Sequence, residues 1–279
     1  MKRFVRTDLA CERQGGIDRC EYTLNGCRVC EVSEWREHER VRYSTVHFGA
    51  LMQMEEEEYR RAARAVAVLL ERTANQLVRE PACVLVACLG NARITPDSLG
   101  AATARALEVT RHVQLLDADA FSRFGKGSLC LVIPGVLGDT GVESAELVRA
   151  AAREIGAQLV VAVDALAACS YTHLGASVQI CDHGLRPGAG LGNRRMAIDR
   201  AGVGCPVISI GIPTVIDSAS LLCEALSKAG ICGVGESLEA YLARAKRYFV
   251  SPVDIDVLAE RGGRLLASAI GACFGQGTL

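Results

Sequence analysis

Two aspartates stand where this sequence has least reason to put them unless they do chemistry. Asp97 lies in Cys88-Leu89-Gly90-Asn91-Ala92-Arg93-Ile94-Thr95-Pro96-Asp97-Ser98-Leu99-Gly100, directly after a short apolar run. Asp164 follows Leu159-Val160-Val161-Ala162-Val163 and is itself followed by Ala165-Leu166-Ala167. A carboxylate at the end of an apolar strand is costly to bury without a partner or a task, although capping the next helix would be task enough. Asp97 also has a plain explanation: Thr95 can cap a helix, Pro96 suits its first position, and an acid in the first turn is favoured by the helix dipole. If both face one crevice, repulsion and unequal solvation separate their pKa values, leaving one ionised and one protonated, as acid/base hydrolysis requires. The dipole would keep Asp97 ionised to activate water, and Asp164 would hold a proton for a carbonyl or leaving amine. The reverse assignment fits the sequence equally.

Other constellations are weaker. Ser170 with His173 or His183 suggests a nucleophilic site, but no Gly-x-Ser-x-Gly elbow surrounds Ser170. Gly188-x-Gly190 resembles a dinucleotide loop, yet Asn193 replaces the third glycine and no strand immediately precedes it. Cys27-x-x-Cys30, with Cys20 and His38 nearby, lacks a second cysteine pair and lies in an expected strand, so no metal site is expected. His47 and His112 read as ordinary half-buried or surface histidines. Glu143 is a third crevice acid or, preferably, a first-turn helix charge.

The elements that must position the aspartates follow from periodicity. Asn25-Gly26 is a hairpin turn between Tyr22-Thr23-Leu24 and a strand from Cys27 to Val32, and Val41 to Phe48 reads as another strand. From Met54 to Glu80, apolar residues at helical spacing predict a long amphipathic helix with Glu55 to Glu58 at its start. Four continuous apolar runs then alternate with helical segments: Cys83–Cys88, Leu129–Ile133, Leu159–Val163 and Val207–Ile210. The helices are expected over Pro96–Val109, Glu143–Ile155, Ser218–Ala229, Leu238–Tyr248 and Pro252–Cys273. That alternation predicts an α/β fold with a mostly parallel sheet covered on both faces. In such sheets the binding crevice lies beyond the carboxyl ends of the strands, where Asp97, Asp164 and Gly211-Ile212-Pro213-Thr214-Val215 fall.

The chain has 279 residues and a formal net charge of −1, so no global positive field attracts a nucleic-acid backbone. Half the residues are hydrophobic, enough for a sizeable core. Thirteen cysteines scattered over the length, several within apolar runs, point to reduced thiols in a cytoplasm rather than a disulfide scaffold. No signal peptide and no membrane-spanning run are expected. A single domain over residues 1–279 is preferred: an N-terminal β elaboration (1–50), a catalytic core (83–217) and C-terminal helices (218–279).

Six blocks in order resemble the germination protease family of endospore-forming bacteria, itself related to hydrogenase maturation proteases. They are Arg6-Thr7-Asp8-Leu9-Ala10; Gly90-Asn91 with Thr95-Pro96-Asp97-Ser98-Leu99-Gly100; Pro134-Gly135-Val136-Leu137-Gly138; Asp164-Ala165-Leu166-Ala167-Ala168; His183-Gly184 with Arg186 through Asn193; and Ile210 through Val215. The resemblance implies a three-layer αβα endopeptidase, tetrameric in the family's manner, that degrades small acid-soluble spore proteins in the forespore and spore core by an aspartic-type mechanism. It places the family's two aspartates on Asp97 and Asp164 and requires no cofactor, direct nucleic acid or membrane. Asn91, Thr95, His183, Arg186, Asn193 and Thr214 are expected to bind substrate. Zymogen processing would fall at Asp8 and Leu9, with only Met1 to Asp8 ahead of the cut, and Ser218 to Phe249 is brief for the family. The competing expectations are a maturation-type peptidase with another protein substrate, a non-catalytic sporulation protein and a small-molecule α/β enzyme.

Overall fold

The computed structural model describes residues 4–13, 18–36, 39–123, 127–188, 195–231, 235–245 and 248–275. The N-terminal hairpin forms as its turn chemistry dictates. Asn25 and Gly26 both take positive φ, 49° and 78°, as a primed two-residue turn demands. They join β1 (Asp18–Leu24) to β2 (Cys27–Arg36), and β3 (Glu39–His47) completes the antiparallel meander. The long helix α1 (Glu56–Leu77) follows, with Glu56, Glu57 and Glu58 in its first turn and Ala63, Val66, Leu70 and Ala74 buried along one face.

Next come β4 (Cys83–Cys88), α2 (Leu99–Ala106), α3 (Arg111–Leu116), α4 (Ala118–Ser122), β5 (Ser128–Val132), α5 (Leu137–Thr140) and α6 (Ser144–Ile155). The second half holds β6 (Leu159–Ala168), β7 (Ser177–Cys181), α7 (Arg200–Val203), β8 (Val207–Asp217), α8 (Ser218–Lys228), α9 (Glu236–Ala245), β9 (Phe249–Val250) and α10 (Ile255–Phe274). Among the described residues these strands form one sheet in the order β1-β2-β3-β7-β8-β6-β4-β5, with β9 paired to β8. The strands β5, β4, β6 and β8 are parallel to one another. From β8 outward through β7 to the hairpin every pairing is antiparallel. The N-terminal β elaboration is thus the continuation of the central sheet rather than a separate layer, because β3 pairs with β7 over Tyr43–His47 and Ser177–Cys181.

Both faces are covered, as alternate side chains on a doubly packed strand require. Val84, Val86, Val161, Val163, Ile208 and Ile210 face α1, α2 and α10 in the main core. Leu85, Ala87, Val160 and Ala162 face α6 and α7 with Val148, Ala152, Ile198 and Val203. The fold is therefore a three-layer αβα arrangement. A smaller cluster, Phe4, Ala219, Cys223, Leu242 and Ala245, ties the N-terminal segment to α8 and α9. No helix among the described residues is long and apolar enough to cross a membrane.

Three expectations need correction. Asp164 does not end its strand: β6 runs on for four residues past it, to Ala168, and β8 runs on to Asp217 beside it, with Asp164 opposite Gly211. The two strands hold each other extended beyond the parallel core, and a register shift between Leu166 and Ala167 marks where they leave regular pairing. The helix expected from Pro96 is instead a 3₁₀ turn over Thr95–Asp97, in which Thr95 makes no side-chain cap, before α2 starts at Leu99. Finally, β7 was not expected at all, since Ser-Val-Gln-Ile-Cys is short and half polar, yet all five residues are buried.

Candidate active site

Asp97 is brought to the sheet by the loop after β4. The Asn91 N–H donates to its Oδ2 at 2.7 Å, closing the loop onto the carboxylate. Gly90 makes this approach possible: its φ is +99°, and a Cβ there would lie 2.1 Å from the Asp97 carbonyl oxygen. Thr214 of β8 pins the same loop from the other side, donating its hydroxyl to the Pro96 carbonyl at 2.7 Å. Asp164 projects from β6 on the face shared with Val160 and Ala162, beyond the cover of α6 and α7. Gly211 opposite it admits no side chain, because a Cβ would lie 2.3 Å from the Asp164 carbonyl oxygen.

The two aspartates line the neck between two cavities. One, of about 380 Å³, is walled by Asp8, Arg13, Arg36, Tyr43, Ile94, Pro96, Leu166 and Phe249 among others. The other, of about 120 Å³, is walled by Gly90, Val136, Leu137, Glu143, Gly188 and Arg195. Asp97 and Asp164 belong to both walls. Arg36, Tyr43, Cys181 and Arg186 pass the larger cavity into a further groove of about 590 Å³ that ends at His183, Asp199 and Arg200. The result is a long cleft in which the two carboxyls lie where its cavities meet, with an apolar and a basic wall in the larger one.

Electrostatics set the two carboxyls apart. Burial raises Asp97, and the Asn91 N–H partly offsets it. Asp164 is pushed well above the ordinary carboxylate range, first by burial, then by the like charges of Asp97 and Asp8; only the Ala165 N–H, 3.0 Å from its Oδ1, acts the other way. Asp8 is also raised by burial, against the Ala167 N–H and Arg13. The pair therefore shares protons unequally, with Asp164 the stronger holder.

The Asp8 carboxylate reaches the cleft because the N-terminal segment is strapped across the sheet. The Asp8 N–H donates to the Ala167 carbonyl and the Ala167 N–H donates to Asp8 Oδ2, both at 2.8 Å. Ala10 N–H donates to Gln179 Oε1, and Leu9 is fully buried. Glu12 anchors the strap: its carboxylate accepts from Cys169 N–H, Ser170 N–H, the Thr7 hydroxyl and His173 Nδ1. Burial alone would raise Glu12, but these bonds hold it below its ordinary value.

Of the other residues singled out in the sequence, Arg186 lines the cleft. His183 lies further along the groove, 3.3 Å from Glu39. Asn91, Thr95 and Thr214 serve the Asp97 loop: Asn91 through its N–H, Thr95 as the start of the turn, and Thr214 from a fully buried position on the cavity wall. Asn193 lies outside the described residues, as do Gly190 and His38. Ser170 and His173 turn to different carboxylates, Glu224 at 2.7 Å and Glu12 at 2.6 Å, so they form no nucleophile–base pair. Cys27 and Cys30 belong to different core clusters on opposite faces of β2 and cannot share a metal. Glu143 is the N-cap of α6, in a reciprocal capping box with Glu146, and also lines the smaller cavity. The sequence reading missed Arg13, Arg36, Tyr43 and Phe249 as cleft walls, because only the β3–β7 and β8–β9 pairings bring them there.

An αβα sheet whose cleft holds two carboxyls, both pushed upward and Asp164 the further, defines an α/β protein with groups in one crevice that can exchange protons. Comparison with known proteins names the kind. A family model described as germination protease, Peptidase_A25, matches residues 23–229. The germination protease of Clostridium acetobutylicum is 35% identical over 236 residues, 78% of this chain and 72% of that protein. That of Oceanobacillus iheyensis is 30% identical over 246 residues, 80% of this chain and 66% of that protein. For Clostridium perfringens the figures are 38% over 164 residues, 59% and 50%. A [NiFe] hydrogenase maturation protease HycI from Thermococcus kodakarensis KOD1 overlays 72% of this chain and 98% of its own at 15% identity and a TM-score of 0.38, too slight a likeness to bear on the site. The chain belongs to the germination protease family, a family of peptidases.

Proposed function

We propose that this chain is an endopeptidase that degrades small acid-soluble spore proteins during germination, with Asp97 and Asp164 as its catalytic acid–base pair. The observation that carries the reading is the shared neck: both carboxyls line both cavities, so a polypeptide lying through the cleft passes its backbone between them. Asp97, the less strongly raised and backed by the Asn91 N–H, is the base that takes a proton from water. Asp164, which holds its proton well above the ordinary range, donates to the scissile carbonyl oxygen. Water oxygen bonds to the carbonyl carbon, the C–N bond breaks, and the amine leaves with a proton drawn from the pair. The amine's proton is the one Asp97 took from water, and a hydroxyl of the tetrahedral adduct returns its proton to Asp164 as the product carboxyl forms, which restores the starting state.

The chemistry needs no metal or cofactor. The wide side of the cleft supplies both an apolar wall, Ile94, Leu166 and Phe249, and a basic one, Arg36 and Arg186, as an enzyme that grips a protein chain requires. In this reading the enzyme works in the cytoplasm of the forespore and spore core as a homotetramer, with Asp8 and Leu9 at its processing site. Incubation with purified small acid-soluble spore protein, followed by mass mapping, tests the proposal. A few discrete cuts that vanish with Asp97→Asn are expected; substrate left intact by the wild-type chain overturns it.

A further inference from the structure

The cleft exposes main chain as well as carboxylates. The β4 ladder against β6 ends at the pair Cys88 and Val163, and the last bond on that side is the Leu89 N–H to the Val163 carbonyl at 2.9 Å. β6 nevertheless continues to Ala168. Its next main-chain contact on the same side is at Ala167, which is taken by the Asp8 strap. Main-chain groups of a strand point alternately to its two neighbours, so Val163, Ala165 and Ala167 present N–H and C=O to one edge. Val160, of opposite parity, donates to Pro206 toward β8. Ala165 is thus an edge position between two occupied ones, reached by neither β4 nor the strap. Among the described residues its N–H has only the carboxylate of its own neighbour Asp164, and the residue lines the larger cavity. From Val163 to Ala167 the strand rises about 13 Å, room for one paired residue of an added chain.

We propose that the substrate binds by its main chain to this gap, one of its residues pairing with Ala165 through two hydrogen bonds, which sets which peptide bond lies over Asp97 and Asp164. The occupant is an extended polypeptide, since the chain's own segment already meets the same edge two residues further along, with the Asp8 N–H on the Ala167 carbonyl and the Asp8 carboxylate on the Ala167 N–H. Strand addition takes its affinity from main-chain bonds and leaves side chains to the flanking cavities. It also fixes register: a peptide slipped by one residue turns its N–H and C=O away from the edge. The inference rests on the peptidase reading above and adds how the substrate is held.

Two measurements test it. In the first, hydrogen exchange of the Asp97→Asn protein is followed with and without intact small acid-soluble spore protein, so that no cleavage is needed. Ala165 is expected to gain protection of about tenfold or more. An unchanged rate at Ala165 overturns the proposal whether or not the wild-type chain cuts the substrate. In the second, a synthetic peptide spanning one mapped cut is N-methylated one amide at a time, omitting the scissile amide. One amide at a fixed offset from the cut should cost about tenfold or more in kcat/KM, while its immediate neighbours stay within about twofold. Even tolerance along the peptide, or losses at consecutive amides, overturns it. Failure of the peptidase reading shows separately, as an unmodified substrate that stays whole.

Discussion

Asp164 and Glu12 are both withdrawn carboxylates at one end of the same sheet, and they are held in opposite states. Glu12 accepts from two backbone N–H groups, a hydroxyl and an imidazole, and these outweigh its burial. Among the described residues Asp164 receives one N–H, from its own chain neighbour, and has two like charges for company. Burial therefore does not by itself set the direction in which a carboxyl's pKa moves; the supply of donors does. Glu12 is a clasp between the strap and the loop after β6. Asp164 has fewer donors among the described residues, and its pKa moves the other way.

That contrast can be broken from either side. The largest expected effect is on turnover: Asp97→Asn or Asp164→Asn should lower kcat for spore-protein cleavage by about a thousandfold while circular dichroism stays native. Next in size is Glu12→Gln, which leaves His173 and two N–H groups facing a neutral amide; urea titration should show a loss of about 2 kcal/mol at neutral pH. The pH dependence separates the two acids by sign. Because the Glu12 pKa is depressed in the fold, its contribution is present above its unfolded pKa and is lost as pH falls through the folded value, so the deficit of Glu12→Gln should fade on acidification. Because the Asp164 pKa is raised, its ionisation opposes folding as pH rises through and above the unfolded value. Asp164→Asn should then be more stable than the wild-type chain at neutral pH, with the difference vanishing in acid, as thermal melts at two pH values would show. The smallest effect is on the activity profile. Removing a like charge with Asp8→Asn should shift the alkaline limb, set by Asp164, to lower pH; an unmoved limb would mean that the strap does not act on the pair.

The parallel core was legible because Cys83–Cys88 and Leu159–Val163 are unbroken apolar runs, and Asp164 stands out directly after one of them, whereas Asp97 lies in the loop beyond the other, where its Thr95-Pro96 setting reads equally well as a helix start. The overrun of β6 and β8 was not legible, since Ala165-Leu166-Ala167 and Ile212-Pro213-Thr214 read equally well as loop and are kept extended only by each other. The donor shell of Glu12 was hidden too. It joins residues 157 and 161 positions apart, and nothing local to Glu12 announces it. The basic wall at Arg36 depends on a strand, β7, whose burial of Ser177 and Gln179 runs against its composition.

The order of strands has a consequence for how the chain is made. On a ribosome, β1 to β3 emerge first, yet β3 meets β7 only after residue 181 has been synthesised. Until then the hairpin carries an open strand edge, the kind that invites mispairing. Asp97 and Asp164 are likewise made well before Gly211 and Thr214, which hold them in place. A nascent chain therefore bears both carboxyls without a cleft between them. The crevice that holds them is complete only once β8 has been made and seated between β6 and β7.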